Sequence, residues 1–173
     1  MNRFAAIIFT ILCVTGISAQ NVDATQSFIK FQIKNFNVHT VNGHFTTFKG
    51  NIHLTPTLEN KGDVCLSIDI ATIDTGVKKR DEVLQSKKFF HTELYPQIRF
   101  ESNDIYINSD STFIANGILS MKGISKAISI PFAYSNKHFK GELTLNRLDF
   151  EVGGKDTFVI DDDVKIQFDC TIN

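Results

Sequence analysis

Ile29-Lys30-Phe31-Gln32-Ile33-Lys34 alternates apolar and polar side chains residue by residue. A period of two places Ile29, Phe31 and Ile33 on one face of a β-strand and the three polar residues on the other. The same pattern recurs along the chain. Ile68 and Ile70 alternate with Ser67, Asp69 and Ala71, and Ile98 and Phe100 with Gln97, Arg99 and Glu101. Ile128, Ile130, Phe132 and Tyr134 form another set, Leu143 and Leu145 another, and Val164, Ile166, Phe168 and Ile172 close the chain. Each reads as a strand with one dry and one wet face, which is the habit of antiparallel sheets.

Turn-forming stretches separate these strands. Glu59-Asn60-Lys61-Gly62-Asp63, Asn108-Ser109-Asp110-Ser111, Ser135-Asn136-Lys137 and Gly153-Gly154-Lys155 read as loops or hairpin connections, and Lys122-Gly123 as a turn between Met121 and Ile124. Phe45 and Phe48 have opposite parity, which predicts a bulge or bend at Thr46-Thr47. Pro131 lies inside a strand pattern and cannot donate a ladder hydrogen bond, so a bulge or an unpaired position is expected there. One segment, residues 77–85, lacks alternation and reads as a short helix, capped by Asp74 or Thr75, with Val77 and Leu84 on one face. Many antiparallel strands and one short helix leave two architectures, a sandwich or a closed barrel, and about eight strands in a barrel can enclose one small ligand.

Residues 1–19 carry Arg3, an apolar run and the small residues Gly16-Ile17-Ser18-Ala19, the layout of a secretory signal peptide. Leu12 before Cys13 does not fit a lipidation site. The expected mature unit is a single domain over residues 20–173, in the periplasm or secreted. Without Arg3, 17 basic residues face 19 acidic ones, so no global charge favours a nucleic acid partner. Cys65 lies on the polar side of its strand and Cys170 on the apolar side of its own, which predicts two free thiols.

Two of the 16 phenylalanines, Phe4 and Phe9, lie in the leader, leaving 14, and there is no tryptophan. An interior of Phe, Ile and Leu suits hydrocarbon better than sugar or nucleotide, although any barrel or sandwich core is apolar. His39, His44, His53, His91 and His138 have no metal-ligand spacing, so no metal is expected. Asp161-Asp162-Asp163 lacks the glycine and closing glutamate of a calcium loop and reads as a polar turn. Gly123-Ile124-Ser125-Lys126-Ala127 echoes a nucleophile elbow but opens a strand, not the strand-to-helix turn that motif needs.

Several blocks, in order, resemble the YceI-like family of lipid- and polyisoprenoid-binding proteins. They are Gly43-His44-Phe45 through Phe48-Lys49-Gly50; Ile73-Asp74-Thr75-Gly76 with Arg80-Asp81 and Leu84; Phe89-Phe90; Tyr95-Pro96-Gln97-Ile98-Arg99-Phe100-Glu101-Ser102; Gly117-Ile118-Leu119 to Lys122-Gly123-Ile124-Ser125-Lys126; and Asn146-Arg147-Leu148-Asp149-Phe150. Glu151 departs from the glycine that often follows Asp-Phe in the family. The resemblance implies an extended, lipocalin-like antiparallel barrel of about eight strands with one short helix. It further implies an isoprenoid or other long-chain apolar lipid, such as a quinone or polyprenyl compound, as the ligand, with no cofactor and no catalysis.

On that reading the interior is lined by Phe31, Ile33, Phe45, Ile68, Ile70, Phe100, Ile130, Phe132, Leu143, Leu145 and Phe168. Leu84, Phe89 and Phe90 close one end. Lys78, Lys79 and Arg80 form a clamp for an anionic headgroup, or else a solvated helix face. Transient membrane contact and a homodimer are compatible with such a cargo. The competing functions are a stress-related structural protein and a secreted hydrolase or isomerase on the same barrel.

Overall fold

The computed structural model describes residues 20–35, 39–55, 61–109, 112–155 and 159–173. The expected signal peptide therefore lies outside the described residues, as do Glu59, Asn60, Asp110 and Ser111 of two expected loops.

The alternation at Ile29 persists in three dimensions. In β1 (Gln20–Asn35), Ile29 and Phe31 are buried while Lys30 and Gln32 are exposed. The remaining strands are β2 (His39–Phe45), β3 (Phe48–Thr55), β4 (Lys61–Asp69), the two-residue β5 (Ile73–Asp74), β6 (Gln97–Ser109), β7 (Thr112–Met121), β8 (Ile124–Ser135), β9 (His138–Asn146) and β10 (Ile160–Ile172). The helix α1 (Lys78–Gln85) lies between β5 and β6. Neighbouring strands pair antiparallel, and β1 closes the sheet by pairing with β10 on one edge and with β2 and β3 on the other. Counting β2 and β3 as two halves of one broken strand, the result is a closed eight-stranded barrel with one short helix.

The break in that strand is the bend expected at Thr46-Thr47. Thr46 N–H donates to Thr72 O at 3.3 Å, Thr47 N–H to Thr72 Oγ1 at 3.1 Å, and Asp69 N–H to Thr47 O at 3.0 Å. Both flanking rings, Phe45 and Phe48, are buried because the chain changes direction between them. Two hairpins turn through paired left-handed residues, Lys122 (φ 51°)-Gly123 (φ 77°) and Asn136 (φ 50°)-Lys137 (φ 66°). Two central residues with positive φ match the twist of the strands they join.

Other expectations need correction. β4 begins at Lys61, so Lys61-Gly62-Asp63 belongs to a strand rather than a loop, and β6 runs through Asn108 and Ser109. The strand expected to continue through Ile70 stops at Asp69, whose carboxylate accepts from Ala71 N–H at 3.0 Å and starts a 3-10 turn, Ile70–Thr72. Asp161, Asp162 and Asp163 lie in β10 rather than in a turn, and they bulge where the β1–β10 register shifts between Ile33 and Asn35. Pro131 causes no bulge against β7, where it faces Ile114 in unbroken register. It takes the other expected form, an unpaired position, outside the β8–β9 ladder, which holds Ala133, Tyr134 and Ser135 against Lys140, Phe139 and His138. Neither Asp74 nor Thr75 caps α1; Val77 occupies the cap position without a side-chain hydrogen bond. The tie runs the other way: Asp81 accepts from Thr75 N–H at 3.0 Å, and Arg80 donates to Thr75 Oγ1 and O, each at 2.8 Å. Val77 is exposed, and the half-buried residues that the helix turns toward the barrel are Arg80 and Leu84, with the exposed Val83 at the rim. Cys65 and Cys170 are both free thiols, one exposed and one buried.

The 12 residues of β8 span about 40 Å along the strand, or about 30 Å along the axis at a tilt of about 40°. That length frames the interior.

Candidate binding channel

Two chambers occupy the barrel axis. The first, about 140 Å³, takes its wall from Val22 and Ile29 of β1, Ile52 of β3, Val64, Leu66 and Ile68 of β4, Phe100 of β6 and Ala115 of β7, with Ile130, Phe132, Phe139, Leu143, Phe168 and Cys170 opposite. The second, about 210 Å³, lies under the helix between Phe31, Ile33, Val41, Leu84, Phe89, Phe90, Phe150 and Val152. Phe45, Ile98, Met121, Leu145 and Ile166 border both, so the chambers meet at a waist and form one channel.

Glycines shape the wall. Gly43 faces Phe31 across the β1–β2 ladder, and Gly141 faces Phe168 across β9–β10. A Cβ on Gly43 would sit 2.2 Å from the Phe31 ring, and one on Gly141 2.5 Å from the Phe168 ring. Each ring therefore occupies the side-chain space its glycine lacks and lies along the wall, leaving the axis open.

The two ends are built differently. At the far end of the first chamber, aromatic rings from β7, β8 and β9 interlock. Phe113 stacks on Phe132 at 5.4 Å between centroids, Phe132 meets Phe139 at 5.6 Å, and Tyr134 meets Phe139 at 4.6 Å. At the helix end, hydrogen bonds hold the cover. Arg147, 6% exposed, donates from Nε to Asp161 O (2.9 Å), from Nη1 to Val152 O (2.9 Å) and Gly154 O (3.0 Å), and from Nη2 to Ile160 O (3.2 Å) and Asp162 Oδ1 (2.8 Å). All five guanidinium donors are thus used, and they pin the bulged start of β10 against the 3-10 turn Arg147–Phe150. Lys122 Nζ donates to Glu151 O (2.6 Å) and Lys88 O (3.1 Å), tying the segment after α1 to the same turn. Desolvation there lowers the Lys122 pKa against the pull of Glu151. Glu151 itself is exposed, with φ 55°, and does not line the channel. The left-handed backbone explains why glycine suits that position.

Of the sequence-derived lining, Phe31, Ile33, Phe45, Ile68, Phe100, Ile130, Phe132, Leu143, Leu145 and Phe168 border a chamber, as do Leu84, Phe89 and Phe90. Ile70 does not; fully buried in its 3-10 turn, it packs outside the channel. Of the basic trio, Arg80 borders the helix-end chamber, with Nε and Nη2 committed to Thr75. Lys78 and Lys79 are exposed and reach neither chamber, because they precede the inward face of α1. Sequence reasoning missed Val64, Leu66 and Phe139, which parity with Ile68 and Leu143 could have supplied. It also missed Asn35, which shares the inward parity of Phe31 and Ile33. No spacing pointed to Arg147.

Chemically, the channel offers little. Among the described residues two cysteines border the first chamber, the exposed Cys65 and the buried Cys170, whose thiol is pushed up to about 12 by burial and by the nearby Asp169 charge. A thiol that stays protonated is a poor nucleophile. No cluster of three or more metal-binding side chains forms among the described residues.

The crystal structure of Burkholderia cenocepacia BcnA superposes with a TM-score of 0.79 at 29% identity, covering 86% of this chain and 98% of that one. A polyisoprenoid binding domain from Saccharophagus degradans, implicated in plant cell wall breakdown, shares the fold with a TM-score of 0.69 at 17% identity, over 90% of this chain and 98% of that one. A UPF0312 protein of Pseudomonas aeruginosa is 27% identical over 140 residues, 75% of this chain and 73% of its own. One from Photorhabdus laumondii is 28% identical over 108 residues, 62% of this chain and only 56% of its own length. The model of the YceI-like domain matches residues 20–172. Since that match runs from the first described strand to the end of the last, the chain belongs to the YceI-like family.

Proposed function

We propose that this protein binds and carries a long-chain apolar lipid of the isoprenoid class inside its barrel, in the periplasm or outside the cell, and catalyses no reaction on it. The observation that carries the proposal is the channel, two apolar chambers meeting at a waist along the barrel axis. Each Å² of apolar surface withdrawn from water contributes about 25 cal/mol. An extended prenyl chain is almost all such surface, so the wall can hold it by contact alone. A wall preformed by the strand ladders reduces the ordering cost of binding. The Saccharophagus domain of the same fold is a polyisoprenoid binder, which favours isoprenoid over other apolar cargo. The neutral Cys170 and a first-chamber lining without Asp, Glu, His, Lys or Arg among the described residues favour a container over a hydrolase or isomerase.

The test is native mass spectrometry of the exported protein purified without detergent. A reproducible mass excess that disappears on denaturation, with a prenyl lipid in the organic extract, is expected. A bare polypeptide mass and no uptake of added prenyl lipids would overturn the proposal in favour of a filled structural core.

A further inference from the structure

Asn35, which borders the helix-end chamber, carries a buried side-chain oxygen without a hydrogen-bond partner. Three buried side-chain oxygens among the described residues have no hydrogen-bond partner: Asn35 Oδ1, Ser67 Oγ and Thr92 Oγ1. Only Asn35 borders a chamber. It continues the inward row of Phe31 and Ile33 and stands opposite Ile160 and His39, at the shift in register between β1 and β10.

Several polar side chains that border the same chamber are committed elsewhere. Arg147 spends its five N–H groups on four carbonyls and Asp162. Asn146 Nδ2 donates to Asp163 Oδ1 at 3.3 Å, and its own oxygen accepts from Leu148 N–H. Arg80 directs Nε and Nη2 at Thr75. A buried acceptor left without a donor is costly, and a ligand that brings the donor recovers that cost.

We infer that Asn35 Oδ1 is the headgroup acceptor of this channel, selecting prenyl lipids that end in a hydroxyl. This rests on the carrier reading above and names the ligand class within it. The chemistry is directional. An amide oxygen accepts from O–H but gains nothing from an ether or a ketone, which can only accept. A prenyl alcohol or a hydroquinone fits, with its tail running through the waist toward the aromatic end; an oxidised quinone sets two acceptors against each other. Sites built to hydrogen-bond a hydroxyl discriminate strongly against analogues that lack it.

The experiment compares geranylgeraniol with its methyl ether, which has the same tail and keeps the oxygen but loses the donor. Both are titrated against the full chain and the Asn35→Leu variant by displacement of a fluorescent fatty-acid probe. The wild type is expected to bind the alcohol about ten-fold more tightly than the ether, the scale of one recovered hydrogen bond. Asn35→Leu is expected to bind both equally, through loss of alcohol affinity, with a thermal midpoint no lower than the wild type because it removes an unpaired polar atom. Equal binding of alcohol and ether by the wild type overturns this inference while leaving the carrier reading intact; bound water then satisfies Asn35. A preference for the alcohol that survives in Asn35→Leu also overturns it and assigns the donor to another group. Failure of the wild type to bind either lipid overturns the carrier reading itself.

Discussion

The two ends of the channel solve the same problem with different chemistry. At the aromatic end, Phe113, Phe132, Tyr134 and Phe139 close the barrel with rings supplied by the strands themselves. At the helix end the strands stop short, and added segments cover the opening: α1, the 3-10 turn at Arg147–Phe150 and the bulged start of β10. Those segments bring backbone groups that no ladder satisfies, so a buried arginine and a lysine must bond them. An end closed by rings can be dry, whereas an end closed by loops must be polar somewhere. Polarity in this channel thus follows from topology, and the polar end is where a headgroup can be read.

The largest loss of stability is expected at the rings. Phe139 is 2% exposed, and Phe139→Ala should cost about 3–5 kcal/mol in urea unfolding. Hydrogen exchange should rise across the β8–β9 ladder, with the helix end still protected. At the other end, Arg147→Met should cost about 3 kcal/mol by stranding the carbonyls it serves. The accelerated exchange should then be confined to the covering segments, with β7 through β9 unchanged. If either variant loosened both ends alike, the ends would be one cooperative unit and the contrast would be meaningless.

Gly43→Ala tests the wall between them. Its Cβ would press on the Phe31 ring, with an expected cost of about 1–3 kcal/mol and weaker uptake of lipid as the ring tips toward the axis. Unchanged stability and uptake would show that the ring has room to retreat.

The wet face of the aromatic end has a pH signature. Burial raises the Asp169 pKa, but hydrogen bonds and charge from His138 and Lys140 outweigh it and leave the net value below 3.8. A carboxylate lowered in the folded state stabilises above its unfolded pKa, and that contribution is lost as pH falls through the folded value. The urea midpoints of wild type and Asp169→Asn should therefore differ at pH 6 and converge below about pH 4. A gap that is constant with pH would remove Asp169 from the acid response. The smallest effect belongs to Glu151→Gly, which relieves the left-handed backbone at φ 55° and should raise stability by about 0.5–1 kcal/mol.

The strand-rich fold, the inward rows and part of the channel wall were legible residue by residue, because a period of two is imposed by covalent geometry and needs no partner to be read. Ile29, Phe31 and Ile33 announce a dry face in any antiparallel context, and continuing that parity reaches Asn35. The free thiols followed from the same rule applied to Cys65 and Cys170. What local pattern could not supply was the fate of residues where alternation meets a break. Ile70 keeps the strand pattern, yet Asp69 diverts it into a 3-10 turn. Lys78 and Lys79 look like part of a clamp beside Arg80, yet only the rotation of α1 against the barrel decides which side chain faces inward. Arg147 carries no periodic signal; its role depends on carbonyls from residues up to 14 positions away, gathered only after β10 docks on β1. Sequence by itself determined the faces of the strands, because that is a property of the local backbone. Tertiary structure alone decided how the ends close and which polar atom is left unpaired, because those depend on groups brought together across the barrel.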